Sequence, residues 1–136
     1  MPFWRCYYHV VWATKHREPF LTSIIERIVF RAIEQKSTDM KCQVLAVNAV
    51  PDHIHVAVTM PPTITVADWV KMVKGTSSRE VKGAQPETSV RCRWQESYGV
   101  HTFGAKNLPW ILNYIQRQKE HHASGQIESY LEQIDD

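Results

Sequence analysis

Two runs of strand-forming residues, Gln43–Val50 and His53–Met60, are separated only by Pro51 and Asp52. Pro and Asp favour a turn, so the two runs are predicted to pair as an antiparallel hairpin. Pro61 and Pro62 follow and end the second strand, because proline cannot donate a hydrogen bond to a sheet. The other predicted elements are ordered before and after this hairpin.

The elements on either side give the order strand, helix, strand, strand, helix, strand, and then a further helix. They are a strand over Tyr7–Thr14, a helix from the Ser23/Glu26 capping box to about residue 37, a helix after Thr65 and Asp68, a loop over 83–88, a strand from Arg91–Gln95 and Tyr98–Phe103, and a helix from Asn107 to about His122. This order predicts an α+β, ferredoxin-like (split βαβ) fold. Its four-stranded antiparallel sheet carries two helices on one face, with a C-terminal helix added.

Composition indicates one globular domain over residues 1–136. Hydrophobic content of 43% and charged content of 22% are globular values, and no apolar run approaches the roughly 20 residues of a membrane span. Cys6, Cys42 and Cys92 are widely separated and odd in number, which favours reduced thiols over disulfides. We therefore expect a soluble, cytoplasmic protein.

The second hairpin strand contains His53-Ile54-His55 close to its start. Residues two apart on a strand point to the same face, roughly 6.5–7 Å from each other, so the two imidazoles can share one metal ion while Ile54 points into a core. The alternative interpretation is two half-buried strand histidines without a ligand. What favours a site lies sixty residues downstream, in the last predicted helix.

That helix contains Tyr114 and Gln118, which are four residues apart and therefore neighbours on one helical face. The face also carries Leu108, Ile111 and Ile115, so a phenol and a carboxamide are predicted to point inward, where they need partners. A metal bound by His53 and His55 would provide Gln118 with a partner for its amide oxygen. Ordinary packing of Tyr114 and Gln118 is the alternative.

A tyrosine beside a divalent cation suits phosphodiester chemistry. The phenolic oxygen of Tyr114 can attack a phosphodiester to give a covalent phosphotyrosine, and a cation polarises the scissile phosphate. Two imidazoles and one amide oxygen, without thiolate, favour Mg²⁺ or Mn²⁺ over structural Zn²⁺.

Charge is unevenly distributed along the chain. The net charge is +2, and the last ten residues contribute −4 through Glu128, Glu132, Asp135 and Asp136, which leaves +6 for residues 1–126. A basic stretch with hydroxyl residues suits phosphate contacts and supplies candidate DNA-binding residues, although a solvated helix face is an equal alternative. These candidates are Lys71, Lys74, Ser77, Ser78, Arg79, Lys82, Arg91 and Arg93.

Several blocks together resemble the small single-tyrosine HUH transposases of bacterial insertion sequences, in which two histidines flank a hydrophobic residue. The matching blocks are Tyr8-His9-Val10-Val11-Trp12, Val50-Pro51-Asp52-His53-Ile54-His55-Val56, Lys74-Gly75-Thr76-Ser77-Ser78-Arg79, Trp94-Gln95-Glu96-Ser97-Tyr98-Gly99 and the segment from Tyr114 to His122. They occur in the family's order and span nearly the whole chain.

The resemblance implies a DNA transposase that nicks and rejoins single-stranded DNA at hairpin ends. It implies Tyr114 as nucleophile, His53, His55 and Gln118 as metal ligands, and a homodimer whose sites form in cis or in trans. His121 and His122 are alternatives to Gln118. Two other functions stay open: a hairpin-binding or nicking protein without transposition, and a metal-dependent hydrolase of small phosphoesters.

Overall fold

The computed structural model describes residues 3–86, 92–125 and 131–134; the side chain of His121 lies outside that description. Its strands are β1 (Tyr7–Ala13), β2 (Gln43–Val50), β3 (His53–Thr59) and β4 (Gly99–Phe103). Its helices are α1 (Ser23–Asp39), α2 (Val66–Ala84), α3 (Leu108–Gln116) and α4 (Gln118–Ser124), with 3-10 turns at Lys15–Arg17 and Ala105–Asn107. In these residues no helix is long and apolar enough to cross a membrane.

The four strands form one antiparallel sheet in the order β2-β3-β1-β4. This order, with the two helices α1 and α2 as the crossovers, is the ferredoxin-like arrangement predicted from the element order. The β2–β3 hairpin turns at Pro51 and Asp52 as predicted, and Val50 pairs with His53 across it. The strand that carries both histidines is therefore central, with a neighbour on each side.

One face of the sheet forms the main core with α1 and α2. Alternate residues of the central strands, among them Trp12, Ile54 and Val56, point into it and are fully buried. Trp12 lies edge-on to Trp69 of α2, with 6.0 Å between ring centroids. Burial of such large side chains is the main stabilising contribution in a domain of this size.

The opposite face of the sheet is covered by the end of the chain. Ala46 and Ala57 of the sheet pack there against Ile111 and Ile115 of α3 and against Leu131. The small alanine side chains let the helix approach the sheet closely. Because strand side chains alternate between faces, His53 and His55 share this second face, whereas Ile54 lies in the main core.

Helix caps agree with the sequence at one start and differ at two. The side chain of Thr65 accepts a hydrogen bond from the backbone N–H of Asp68, which confirms the predicted cap of α2. At α1 the cap is Thr22, one residue before the predicted Ser23, and its hydroxyl accepts from Ile25 N–H. Asn107 precedes α3, but its side chain makes no capping hydrogen bond there.

Three predicted boundaries were wrong. The helix α2 continues through Gly83 to Ala84, where a loop was expected. The fourth strand contains only Gly99–Phe103, since Trp94 makes just an isolated bridge to Thr14, and Arg91 lies outside the described residues. The last helix is broken at Arg117, whose backbone is non-helical, so Tyr114 and Gln118 lie on separate helices.

Candidate active site

The two histidines of β3 lie side by side on the second face of the sheet. His55 is fully buried and His53 is 5% exposed, and their rings are 5.2 Å apart between centroids. This arrangement is what the strand interpretation of His-x-His predicted. The imidazoles are thus held by a central strand, which is the most rigid kind of support for a site.

Both imidazoles point at one oxygen atom of Glu132. Glu132 Oε1 lies 2.9 Å from His53 Nε2 and 3.0 Å from His55 Nε2. A third imidazole, that of His122 on α4, places its Nε2 at 3.1 Å from the same oxygen. Three ring nitrogens therefore converge on a single point, as the ligands of a metal ion would.

The second carboxylate oxygen of Glu132 faces the two residues singled out on the last predicted helix. Tyr114 donates a 2.6 Å hydrogen bond to Oε2, and the amide Nε2 of Gln118 lies 3.4 Å from the same atom. Tyr114 is 4% exposed and Gln118 is fully buried, so the prediction that both point inward is confirmed despite the break at Arg117. The structure brings all four expected site residues together within one chain.

Electrostatic interactions keep the carboxylate ionised. Burial alone would raise the pKa of Glu132, but the hydrogen bonds from His53, His55 and Tyr114 lower it far below the ordinary glutamate value. Burial lowers the pKa of His55 in turn, although its hydrogen bond to Glu132 opposes that shift. The site is a cluster of coupled groups with one negative charge at its centre.

A second layer of residues orients the two histidines. Asp52 Oδ1 lies 2.7 Å from Nδ1 of His53, at the turn that begins β3. On the other ring, Nδ1 of His55 lies 2.8 Å from Nε2 of His9, a fully buried histidine of β1. Burial lowers the pKa of His9 to about 3, with His55 and His101 contributing, so its ring is neutral.

The donors present fit a divalent metal ion. One ligand atom from each of His53, His55, His122 and Glu132 can be chosen so that all four lie within 4.8 Å of one another. In addition, Oε1 of Gln118 is buried and has no hydrogen-bond partner among the described residues, which leaves an acceptor available to a cation. Imidazole nitrogens with carboxylate and amide oxygens suit Mn²⁺, and Mg²⁺ less closely because it prefers oxygen.

Glu132 is the residue that sequence analysis missed. It was counted only as one acid of the C-terminal tail, and no spacing in the sequence connects it with His53, 79 residues earlier. A glycine makes room for its segment: a Cβ on Gly99 would overlap the carbonyl oxygen of Gln133. Gly99, Val11 and His55 occupy one row across the sheet, so the segment 131–134 rests on the strands beside the histidines.

The basic residues line a different part of the surface. A groove of about 810 Å³ lies between α2 and the segment 92–98, and none of the residues around Glu132 lines it. The candidates that line it are Lys71, Lys74, Ser78, Arg79, Lys82 and Arg93, together with Lys15, Trp94 and Tyr98.

Two of the candidate DNA contacts are used inside the protein, and a third lies outside the described residues. Ser77 is fully buried, and its hydroxyl accepts from Trp94 Nε1 and donates to Lys74 O, so it packs inside the protein and is not available to a ligand. The ammonium of Lys74 donates to the carbonyls of Gln95 and Ser97 and holds that segment on α2. Arg91 lies outside the described residues.

Fold and site together define a ferredoxin-like domain with a histidine pair, a tyrosine and further polar side chains on one face of the sheet. Residues 2–118 match the family model of the IS200-like transposases. The chain therefore belongs to the IS200-like transposase family, whose members are DNA transposases.

Individual relatives agree with the family assignment. The chain is 28% identical over 127 residues to the transposase for insertion sequence element IS200 of Salmonella typhimurium, covering 90% of this chain and 83% of that one. It is 25% identical over 117 residues to the ISDra2 transposase TnpA of Deinococcus radiodurans, covering 83% of this chain and 84% of that one.

Solved structures show the same fold. A crystal structure of a Deinococcus radiodurans protein assigned as a transposase superposes with a TM-score of 0.70 and 26% identity, covering 87% of this chain and 95% of that one. A REP-associated tyrosine transposase bound to a REP hairpin superposes with a TM-score of 0.64 and 18% identity, covering 93% of this chain and 76% of that one. At that identity the second match bears on the fold alone.

Proposed function

We propose that the single domain over residues 1–136 nicks and rejoins single-stranded DNA, with Tyr114 as the nucleophile and a divalent cation held beside it. The observation that carries the proposal is the shared carboxylate. Tyr114 bonds one oxygen of Glu132, while His53 and His55 bond the other. A phenol and a cation-binding histidine pair separated by one carboxylate are close enough to act on the same phosphate.

The cation would be held by His53 and His55, with a third ligand from α4. Gln118 offers a buried amide oxygen without a partner in the described structure, and His122 offers an imidazole that already points to the same place. When bound, Mg²⁺ or Mn²⁺ supplies charge that offsets the negative charge developing on the scissile phosphate.

The covalent step begins with attack by the Tyr114 oxygen on phosphorus. A bond forms between the phenolic oxygen and phosphorus, and the bond to the 3′ oxygen breaks. The phenolic proton leaves to water, while the departing 3′ oxygen takes up a proton and becomes a 3′-hydroxyl. The product is a 5′-phosphotyrosine, which a 3′-hydroxyl can attack to rejoin a strand by the reverse exchange.

The basic groove is proposed as the DNA-holding surface. Lys71, Arg79, Lys82 and Arg93 are exposed along it, and exposed cations bind the phosphate backbone without reading sequence. Trp94 and Tyr98 add aromatic rings on which unpaired bases can stack. A hairpin is the proposed substrate, in keeping with the REP hairpin bound by the structurally similar transposase.

We further propose a homodimer. The histidines and the tyrosine meet within one chain, so each subunit of the dimer would form its own site in cis. Mixing Tyr114→Phe subunits with His53→Ala subunits tests this arrangement. If sites form in cis, each site keeps one defect and the mixture stays inactive, whereas recovery of cleavage would indicate assembly in trans.

A second candidate is a protein that binds or nicks DNA hairpins without transposition. The position of Glu132 favours the binding form of this candidate, since its negative charge lies where a phosphate and a cation would meet and opposes a phosphate there. Cleavage without strand joining, measured with a labelled donor and a second labelled acceptor strand, would support this candidate over full transposase activity.

The test of the proposed function is metal-dependent cleavage of a labelled single-stranded hairpin oligonucleotide. Wild type should cleave with Mn²⁺ or Mg²⁺ and not with EDTA, while His53→Ala and His55→Ala should each lose cleavage. Gln118→Ala and His122→Ala separate the two candidate third ligands, since only the true ligand should shift the Mn²⁺ concentration required. Undiminished cleavage in EDTA, or in both β3 histidine variants, would contradict the proposal.

A further inference from the structure

We propose that His9 is a positioning residue for the cation site, which holds the ring of His55 in place through a hydrogen bond that can run in either direction. The inference rests on the proposed cation site and concerns a residue to which that mechanism assigns no role. His9 lies on β1, one row along the sheet from His55, and cannot itself reach the point where the Nε2 atoms converge, because its Nε2 is used on Nδ1 of His55.

The rings of His9 and His55 are close together, nearly parallel and buried. His9 Nε2 and His55 Nδ1 are 2.8 Å apart, and the rings stack with 5.0 Å between centroids and 14° between planes. Both side chains are fully buried, so water does not compete for the hydrogen bond. His101 of β4 stacks on the other side of His9 at 6.0 Å and 17°, which holds the His9 ring in place.

The hydrogen bond links the proton positions of the two rings. A histidine that binds a cation through Nε2 must carry its proton on Nδ1. That N–H then donates to Nε2 of His9, which is bare only if His9 carries its own proton on Nδ1. His9 can therefore stabilise the form of His55 whose lone pair faces the cation.

When Nε2 of His55 carries the proton instead, the same pair has the opposite polarity. That Nε2–H then donates to the carboxylate of Glu132, which lies 3.0 Å away. A neutral His55 then has a bare Nδ1, which accepts from Nε2–H of His9. Binding of a cation thus reverses both tautomers, and a side chain that can either donate or accept is required at position 9.

A buried polar atom supports a role beyond packing. Nδ1 of His9 has no hydrogen-bond partner among the residues that the structure describes. A side chain placed there only to fill space would avoid a buried polar atom without a partner. The two cation histidines thus have different supports: His53 has the charged Asp52, and His55 has the neutral His9.

The test compares Mn²⁺ binding to wild type, His9→Gln and His9→Phe in the full chain by calorimetric titration. Phe keeps a ring of similar volume and removes the hydrogen bond, so the Kd for Mn²⁺ should rise by about 10- to 100-fold, as for other residues that support metal ligands. Gln can donate or accept at the same reach, so its Kd should stay within about threefold of wild type. Urea unfolding of each variant shows whether the free energy of unfolding falls in the same order as the affinity for Mn²⁺.

The possible results distinguish a failure of the role of His9 from a failure of the proposed cation site. If wild type binds no Mn²⁺, the proposed cation site itself fails. If wild type binds and His9→Phe binds equally well, only the role of His9 is overturned. Should His9→Phe not fold, nitrogen-detected NMR of the wild-type imidazoles decides: both His55 and His9 should carry their protons on Nε2 without cation and on Nδ1 with Mg²⁺, and an unchanged His9 tautomer would overturn the inference.

Discussion

The hydroxyl of Tyr114 donates a 2.6 Å hydrogen bond to a carboxylate, Glu132, whose other oxygen accepts from two histidines of the central strand. The bond fixes the phenol beside the histidines of its own chain. It also gives the phenol an anionic neighbour, which a phosphate would have to approach. The behaviour of this carboxylate is therefore the first property to test.

Glu132→Gln should destabilise the cation-free protein and increase its response to Mn²⁺. Losing the buried charge weakens hydrogen bonds from several partners, so the free energy of unfolding should fall by about 2–3 kcal/mol. A neutral amide is held less tightly than Glu132 Oε1 at the point where the imidazoles converge, so Mn²⁺ should displace it more easily and raise Tm more than in wild type.

The control for that experiment is Glu120→Gln, which removes an exposed carboxylate paired only with Arg117 in the described structure. It should change neither the free energy of unfolding nor the rise in Tm with Mn²⁺ appreciably, as expected for an exposed pair. A Glu132→Gln protein that no longer responds to Mn²⁺ would instead show that Glu132 is itself a metal ligand.

Gly99→Ala should displace the segment 131–134 without altering any residue of the site. The added methyl group would overlap the carbonyl of Gln133, so Glu132 should lose its position, and the variant should resemble Glu132→Gln in Tm and in Mn²⁺ response. Gly104→Ala is the matched control, since its Cβ meets no atom within 4 Å and its backbone is extended. If both alanine variants behaved identically, the packing of segment 131–134 against Gly99 would be contradicted.

DNA binding should depend on salt through the basic groove. Replacing Lys71, Arg79 or Lys82 with alanine should lower the slope of log K against log salt by roughly 0.7–0.9 for each lost phosphate contact. Arg31→Ala on α1 removes the same charge outside the groove and should leave the slope unchanged. Fluorescence anisotropy with a hairpin oligonucleotide measures the slope. Equal slopes for all four variants would contradict DNA binding in the groove.

Lys74 should make stability depend on pH above neutrality. Burial lowers its pKa to about 8, with Glu96 opposing the shift, while the unfolded chain keeps the ordinary value of 10.5. Between those values the unfolded state binds more protons, so this group's contribution to stability rises with pH. Urea unfolding of wild type and Lys74→Met from pH 7.5 to 10.5 should show a smaller rise in the variant, and parallel curves would contradict the shift.

The fold was largely predictable because its signals are local. Runs of aromatic and β-branched residues predict the strands, and the Pro51-Asp52 turn predicts the hairpin on which His53 and His55 lie. The inward position of Tyr114 and Gln118 was also predictable, since it depends on the apolar stripe that includes Ile111 and Ile115.

What could not be predicted depends on contacts between distant segments. Glu132 reaches the site only because Gly99 leaves room beside β1, and nothing near either residue in the sequence indicates that contact. Ser77 looked like a phosphate contact until packing placed it beneath Trp94. The break at Arg117 has no proline or glycine to mark it.

The central claim is that Tyr114 becomes covalently attached to DNA, and mass spectrometry tests it most directly. The protein is incubated with single-stranded hairpin DNA and Mn²⁺, treated with nuclease and digested with trypsin. Tyr114 is the only tyrosine in the peptide 107–117, which ends at Arg117. The account predicts a phosphonucleotide on that peptide and none in Tyr114→Phe; an adduct on a peptide containing Tyr7, Tyr8, Tyr98 or Tyr130, or one that persists in the variant, would contradict it.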